Sequence, residues 1–570
     1  MTPSLRVSVF IYMAITLQNI VAGNFLRDGP TFPTERLSVE RLKSSLQRQI
    51  EAGTGHNTSH DVMERIENEL RPTFAALPKN RHGNLGPTTA RYALDRAFRR
   101  RHGWQLQGLE PTSGFFNSTS PTGILKDRVP RYIEELFEER LHGKGFGLHE
   151  LAVFIATIER LAAEEAIERL KGAYSIMKVS EDTTVSSEQM DRIMEAYMMV
   201  TVLGQGNLSS MSKSEYQESL NEMKDRYSSW AEVQDFAKQI RRDIVYAPFT
   251  LFSSSDMYTF ATSTRVVEEL SREFGKFQDK ECQAMKSSLL KVEERRSGRV
   301  RLGSFYAQTM GDAERFSEAK DYLRELNALD EFEKNRPRVI ISNYVVSASN
   351  CIGGNGLYSI CCSNECEGIL SHLEHYIGGP SALPKRIANI VSALPSSTMP
   401  ANRQLSESLM KHLYMVAKQH QGRVPLHSRL FQQWLHHAYP RECAMPSPIG
   451  KLKPMTESEW LQAKNQSITA SEEEMKQAIA DQEGNMTEEE RALSEIGREE
   501  LDDLPWTTEE ELVVIQETYK HADLSFWSIC RNLAFIGIIG ASWAYMLDTV
   551  ATSLAGGPVR MPGKPTYGKK

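Results

Sequence analysis

The feature that most constrains this chain is a run of seventeen residues, Asn350 to Cys366 (NCIGGNGLYSICCSNEC), which holds four of its seven cysteines. Cys351, Cys361, Cys362 and Cys366 share it with Gly353, Gly354 and Gly356, so the backbone between them turns at little steric cost. Adjacent Cys361 and Cys362 are poor partners for each other. Their Cα atoms lie about 3.8 Å apart across a trans peptide, below the roughly 4.4–6.8 Å of ordinary disulfides. They should reach in two directions and pin the loop to two other elements. Cys282 and Cys443 bring the set to six, an even number with fifteen conceivable pairings that spacing alone does not choose among. Cys530 sits in a hydrophobic segment and is left out of the set.

A rival use of the same residues is a zinc site built from Cys362, Cys366, His372 and His375. The His–x2–His spacing is tighter than the usual three to five, and an oxidising compartment favours disulfides over thiolates. A redox-active pair would need Cys-x-x-Cys beside a βαβ pattern, and neither is present.

The compartment is read from the two ends. Arg6 followed by the largely apolar stretch Val7–Leu17 and by Val21-Ala22-Gly23 has the pattern of a secretory signal; such a signal also serves in composite organelle addresses. Near the other end, Ser525 to Met546 is 22 residues with one charge, Arg531. As a helix it would be roughly 33 Å long, enough to cross a hydrocarbon core. Trp527, Trp543 and Tyr545 sit where interfacial rings belong, and Arg560, Lys564, Lys569 and Lys570 follow. Basic residues on the short side predict a cytoplasmic tail and a luminal or extracellular bulk. The acceptor sequons at Asn57, Asn117, Asn207, Asn465 and Asn485 agree with that address.

Net charge is −7, and residues 471–511 alone carry 16 acidic against 3 basic side chains. What remains is only mildly basic over more than five hundred residues, which is no footprint of a nucleic-acid binder.

Between the ends, periodicity predicts helices almost throughout. ARYALDRAFRRRHGW should end near Gly103 with its arginines in the last turn. Leu148, Leu151, Phe154, Ile155, Ile158 and Leu161 recur at helical spacing. The methionines 190, 194, 198 and 199 read as core filler. Further helices are expected at 383–394, 403–420 and 426–438. In the last, His437 shares the apolar sector of Leu426, Leu430, Phe431 and Trp434 while His436 lies opposite, so His437 is read as a core residue or else a pH-sensitive contact.

Two stretches have an EF-hand-like layout: Lys144-Gly145-Phe146-Gly147 between helices, and 293–306, where Gly298 and Val300 fall at the turn and hydrophobic places. Counting back puts Glu293, Arg295 and Ser297 at the first three ligand places and Ser304 at the last, so the alternating acidic ligands are missing. Plain helical hairpins are therefore the preferred reading, and an EF-like fold, if present, should not bind calcium. There is no phosphate loop, dinucleotide fingerprint, HExxH or GxSxG, and no cofactor is expected.

SNCIGGNGLYSICCSNECEGILSHLE with VPLHSRLFQQWLHHAYPRECAMP, and RHGWQLQGLEPT with GKGFGLHELAVFIATIE upstream, resemble a family of uncharacterised alveolate-type (protist) single-pass membrane proteins over roughly residues 90–446. The resemblance implies a membrane protein and transfers no catalytic residue.

The expected architecture is mainly α, a helical ectodomain with a small disulfide-stapled region and one C-terminal transmembrane helix. It runs as a signal peptide (1–23), polar helices (24–90), a helical domain (91–335), a Cys-rich helical domain (336–446), an acidic stalk (447–524), a span (525–547) and a basic tail (548–570). The leading function is a non-enzymatic type I membrane protein that binds a protein or glycan partner. The alternative is a secretory-pathway hydrolase or transferase, which should gather two or more of His149, His372, His375, His427, His436 and His437 with carboxylates into one cleft.

Overall fold

The computed structural model describes residues 59–109, 121–125, 135, 137–138, 143–204, 211–227, 229–245, 257–309, 316–333, 335–353, 357–447, 455, 457–484 and 506–512. The expected signal, span and basic tail lie outside them, as do Cys530, Asn57, Asn117, Asn207 and Asn485. Asn465 is described and exposed. Among the described residues no helix is long and apolar enough to cross a membrane. Contacts divide the chain at Gln516, and every described residue falls on its N-terminal side.

One local device recurs along the chain. Ser59–Ala76 (α1) and Pro87–His102 (α2) flank a loop in which Gly83, at φ +76°, precedes Leu85 by two residues. Leu85 forms an antiparallel bridge with Phe146, just ahead of Leu148–Ile176 (α3). Pro87 starts α2 because its missing N–H costs nothing at a first turn, and Gly103, left-handed at φ +69°, ends it. Strand β1 (Trp104–Leu106) follows α2.

The second instance joins β2 (Val185–Ser186), ahead of Ser187–Leu203 (α4), to β3 (Met257–Tyr258). Ser186 and Gln189 close a capping box at the start of α4. Lys213–Arg226 (α5) and Trp230–Val245 (α6) lie between, and Phe260–Lys291 (α7) follows β3. The third joins β4 (Arg299–Arg301), ahead of Leu302–Thr309 (α8), to β6 (Arg338–Ile340), with Val300 opposite Val339. Lys320–Glu325 (α9) and β5 (Leu329–Asp330) precede β6, on which β5 also pairs, and Ile341–Val345 (α10) follows.

Strand β7 (Tyr358–Ile360) then returns to pair with β1. The fourth instance joins β8 (Ser381–Ala382) to β9 (Val424–Pro425). Their flanking helices are Glu365–Ile377 (α11), Pro384–Ala393 (α12), Glu407–Gln419 (α13) and Arg429–Ala438 (α14).

Four antiparallel joints thus tie helix–loop–helix units into pairs, an EF-hand-like layout. Gly298 (φ +73°) before Val300 and Gly422 (φ +86°) before Val424 repeat the Gly83–Leu85 geometry. At Gly298 the backbone is left-handed and a Cβ would strike the carbonyl of Pro440, so no other residue fits without strain. Helices α3 and α7, 29 and 32 residues long, each end one pair and begin the next. That sharing makes the first three pairs a continuous array.

The core merges the first two pairs and keeps the others apart. Phe98, Phe146, Phe154, Tyr197 and Phe274 are buried in one cluster, with Met190, Met194, Met198 and Met199 among them as the periodicity predicts. Val300, Phe305, Tyr322 and Tyr344 form a second, and α11 to α14 enclose a third around Trp434. Helix α1, in the stretch expected to form polar helices, buries Ile66 and Leu70 in the first cluster. The pairing of β4 with β6 crosses the boundary expected at 335/336, so no core ends there.

The expectation of a solvated stalk over 447–524 is corrected where the structure describes it. Glu457–Lys464 (α15) puts Trp460 at 3% exposure beside Tyr322, and Glu472–Gly484 (α16) lies along α8. Thr469 bridges Glu318, and Trp506 stacks on His412 with centroids 4.1 Å apart. Its few apolar residues, spaced too sparsely to show a period, dock, and two of its carboxylates join them, Glu474 accepting the Lys320 amide at 3.2 Å and Glu510 the Leu430 amide at 3.1 Å.

Candidate functional site

The six cysteines pair as Cys282–Cys362, Cys351–Cys361 and Cys366–Cys443, with Cα separations of 5.7, 4.1 and 4.6 Å. Cys361 and Cys362 continue past β7, where successive side chains point to opposite sides. One therefore closes the loop on Cys351 and the other reaches α7. The first and third bridges span 80 and 77 residues, worth about 4–5 kcal/mol each if chain entropy dominates.

These bonds remove Cys362 and Cys366 from the zinc alternative. His372 and His375 instead lie against the ring of Tyr376, at 4.5 and 5.3 Å between centroids. Among the described residues no group of three or more His, Cys, Asp or Glu is placed to hold a metal ion.

The loop before β4 shows how an EF-hand-like turn is held without a cation. Glu293, at the first ligand place, accepts the Gly298 amide at 2.6 Å. The guanidinium of Arg441 then grips that carboxylate, with Nε at 2.9 Å from Oε1. Glu294 pairs with Arg301 at 2.9 Å, so both acidic groups of the loop are neutralised by arginine.

The histidines singled out in the sequence do not meet in one place. His149 pairs with Glu67 at 2.6 Å on a part-exposed surface. His436 is fully buried, not opposite the core as its helical phase suggests, because a second layer packs on that face of α14. Its Nδ1–H donates to the carbonyl of Cys443 at 2.6 Å, and its Nε2 faces a guanidinium nitrogen of Arg299 at 3.3 Å. Burial first, then the charge of Arg299, pushes its pKa well below the usual histidine value. Arg299 itself is buried against Asp330 at 2.6 Å. His437 is buried beside His412 and Trp506, as its place in the apolar sector predicts.

His102, which was not singled out, meets Glu159 at 2.7 Å beside Arg101. Of the histidines singled out in the sequence, His427 is the one that meets a carboxylate inside a buried polar cluster. Tyr92 and Arg96 from α2, Thr73 from α1, Glu367 and Glu374 from α11, and His427 ahead of α14 converge there. The Tyr92 hydroxyl lies 3.0 Å from Nδ1 of His427, and Nε2 lies 3.3 Å from Glu374 without hydrogen-bond alignment. Thr73 donates to Glu374 at 2.8 Å, and Arg96 bridges Glu374 and Glu367, with 2.6 Å to the latter. Burial pushes His427 down to about 3, against the weaker pull of Glu374. Burial alone would raise Glu374, but Arg96, His427 and Thr73 outweigh it and hold the carboxyl below its ordinary range.

A cleft of about 390 Å³ opens beside this cluster, lined by Pro78, Ser381, His420, Arg423 and His427. His420 is tied to Glu510 at 2.7 Å and Arg423 to the Ser381 carbonyl at 2.6 Å. A histidine held neutral down to about pH 3 is not poised to exchange protons near neutrality.

Arg96 and Glu374 lie 278 residues apart, so nothing local in the sequence joins them. The only sequence signal is a charged residue inside an otherwise apolar helix face. No family model, no curated protein and no solved structure matches this chain.

Proposed function

We propose that this chain is a non-catalytic type I membrane protein whose helical, disulfide-locked array stands in the lumen or outside the cell and binds a protein or glycan partner. The observation that carries the reading is the three disulfides: six paired cysteines belong to an oxidising compartment. The arginine-filled loop before β4 argues against a calcium sensor. The candidate histidines lie apart, which leaves the hydrolase or transferase alternative resting on the His427–Glu374 contact beneath a cleft.

The test is topological. Protease added to sealed microsomes should clip a short C-terminal tail and leave a glycosylated bulk protected. Complete digestion of the bulk would overturn the orientation and, with it, the compartment.

A further inference from the structure

Residues 506–512 (WTTEEEL) run along α14 in the reverse direction, in the manner of a peptide laid in a groove. Trp506 meets the far end of the helix, its ring stacked on His412 and edge-on to His437 at 5.5 Å between centroids. One turn back, the Thr507 hydroxyl donates to the side-chain oxygen of Gln433 at 2.9 Å. The Arg429 guanidinium donates to the Thr507 hydroxyl and to the Glu509 carbonyl, each at 2.9 Å. At the head of α14 the Arg429 amide donates to the Glu511 carbonyl at 2.7 Å and the Leu430 amide to the Glu510 carboxylate, which also holds His420. Leu512 then bridges Ser428.

The two sides of this contact differ in burial. Ser428, Arg429, Gln433 and His437 are at most 6% exposed, whereas none of the residues from Trp506 to Leu512 is buried. The segment thus lies on the fourth pair without entering its core. It carries three glutamates, and the groove offers Arg429, His420 and the positive end of a 10-residue helix. Two first-turn amides of α14, which have no intrahelical acceptor, are satisfied by the segment alone. Main-chain hydrogen bonds, one aromatic anchor and one carboxylate at a helix N-terminus are how proteins recognise extended acidic peptides.

We propose that the groove along α14 recognises an extended acidic segment of a protein partner, with an aromatic residue four positions ahead of a glutamate, and that 506–512 is its tethered occupant. Partner binding displaces the tethered segment. The proposal rests on the partner-binding reading above and names what that partner presents. Tethering sets the effective concentration of 506–512 on the order of millimolar, so an outside peptide gains ready access once the segment is weakened.

The test uses the full chain and a labelled synthetic peptide of residues 503–514. Saturable one-to-one binding is expected to the Trp506→Ala/Glu510→Gln double variant, at least about tenfold tighter than to the parent. Introducing Trp506→Ala or Glu510→Gln into the peptide should weaken that binding about tenfold or more. In the parent, excess peptide should quicken amide exchange at 506–512. That measurement uses no substitution in the protein, so it decides even where the double variant fails to fold. Absence of saturable binding to the folded variant, affinity that the peptide substitutions leave unchanged, equal affinity for parent and variant, or exchange at 506–512 unmoved by excess peptide overturns the proposal. Sedimentation of the parent should show a monomer; a dimer abolished by the double variant would make a second copy the occupant and overturn the assignment to a separate partner. Each result can fail while the membrane topology stands, and the reverse.

Discussion

Arg441 donates its Nε proton to Oε1 of Glu293 at 2.9 Å across 148 residues of chain. Glu293 stands where an EF-hand-like loop would place its first cation ligand, and its side chain is only 3% exposed. The protein thus supplies an internal cation to a turn that elsewhere takes a metal. The bond also ties the loop before β4 to the segment after α14, close to where Cys443 is bridged.

Calcium should therefore be inert. Millimolar calcium is expected to leave the melting temperature and the near-ultraviolet spectrum unchanged. Arg441→Gln should lower stability by about 3 kcal/mol, since it leaves a buried carboxylate without its partner. It should not create a calcium site, because Arg295, Ser297 and Ser304 occupy the other ligand places. A calcium-dependent rise in melting temperature would contradict the role given to Glu293.

The Cys366–Cys443 bridge fastens α11 to the end of α14. Cys443→Ser should cost about 4–5 kcal/mol if the loop-entropy account holds. Amide exchange should quicken through α11 to α14 more than in α3 or α4. Uniform quickening across the chain would mean that the bridge supports the whole array and not this pair.

That six cysteines would pair, with Cys361 and Cys362 going to different partners, was legible from their even number and the poor geometry of a vicinal bond; which of the fifteen pairings forms was not. The helices were legible from period, as Leu151, Phe154, Ile155 and Ile158 illustrate, all buried on one side of α3. The pairing of the helix–loop–helix units was not. Each joint rests on one to three residues a strand, such as Leu85 with Phe146 or Val185 with Tyr258, too few to carry an alternating pattern. The buried charges were invisible for another reason. Arg96, Glu374, Arg299 and Asp330 look like surface residues until distant segments close over them, and burial of His436 depends on a layer that its own helix does not encode.

Acid should loosen the molecule through its histidines. The folded pKa of His427 is about 3, below the ordinary value of 6.5. Above about pH 6.5 the ring is neutral folded or unfolded, and its stability term is fully present. Below that, only the unfolded chain takes up the proton, so stability is lost as the pH falls toward 3, by about 1.4 kcal/mol per unit. His436 acts in the same direction. His427→Gln should flatten the loss between pH 6 and 4.5 by about 1–2 kcal/mol, read from urea midpoints. Parallel curves for parent and variant would show that the ring is protonated in the fold.

The docking of α16 on α8 offers the sharpest test of the array's C-terminal edge. Gly303 lies at a close approach of the two helices: a Cβ there would lie 2.7 Å from the carbonyl of Ala478 and 2.6 Å from the side-chain oxygen of Gln482. Gln482 also accepts the Ser304 amide at 2.8 Å, satisfying one of the orphan donors at the start of α8. Gly303→Ala should force α16 outward and break that cap, without touching the core formed by Phe305 and Tyr344. Trp460→Ala should cost about 3–5 kcal/mol of docking through lost burial. In both variants, limited proteolysis should cut within 457–484 well before it cuts the disulfide-linked pairs, whereas the parent resists there. Cleavage at the same rate in parent and variants would mean that the segment is held by something other than this contact.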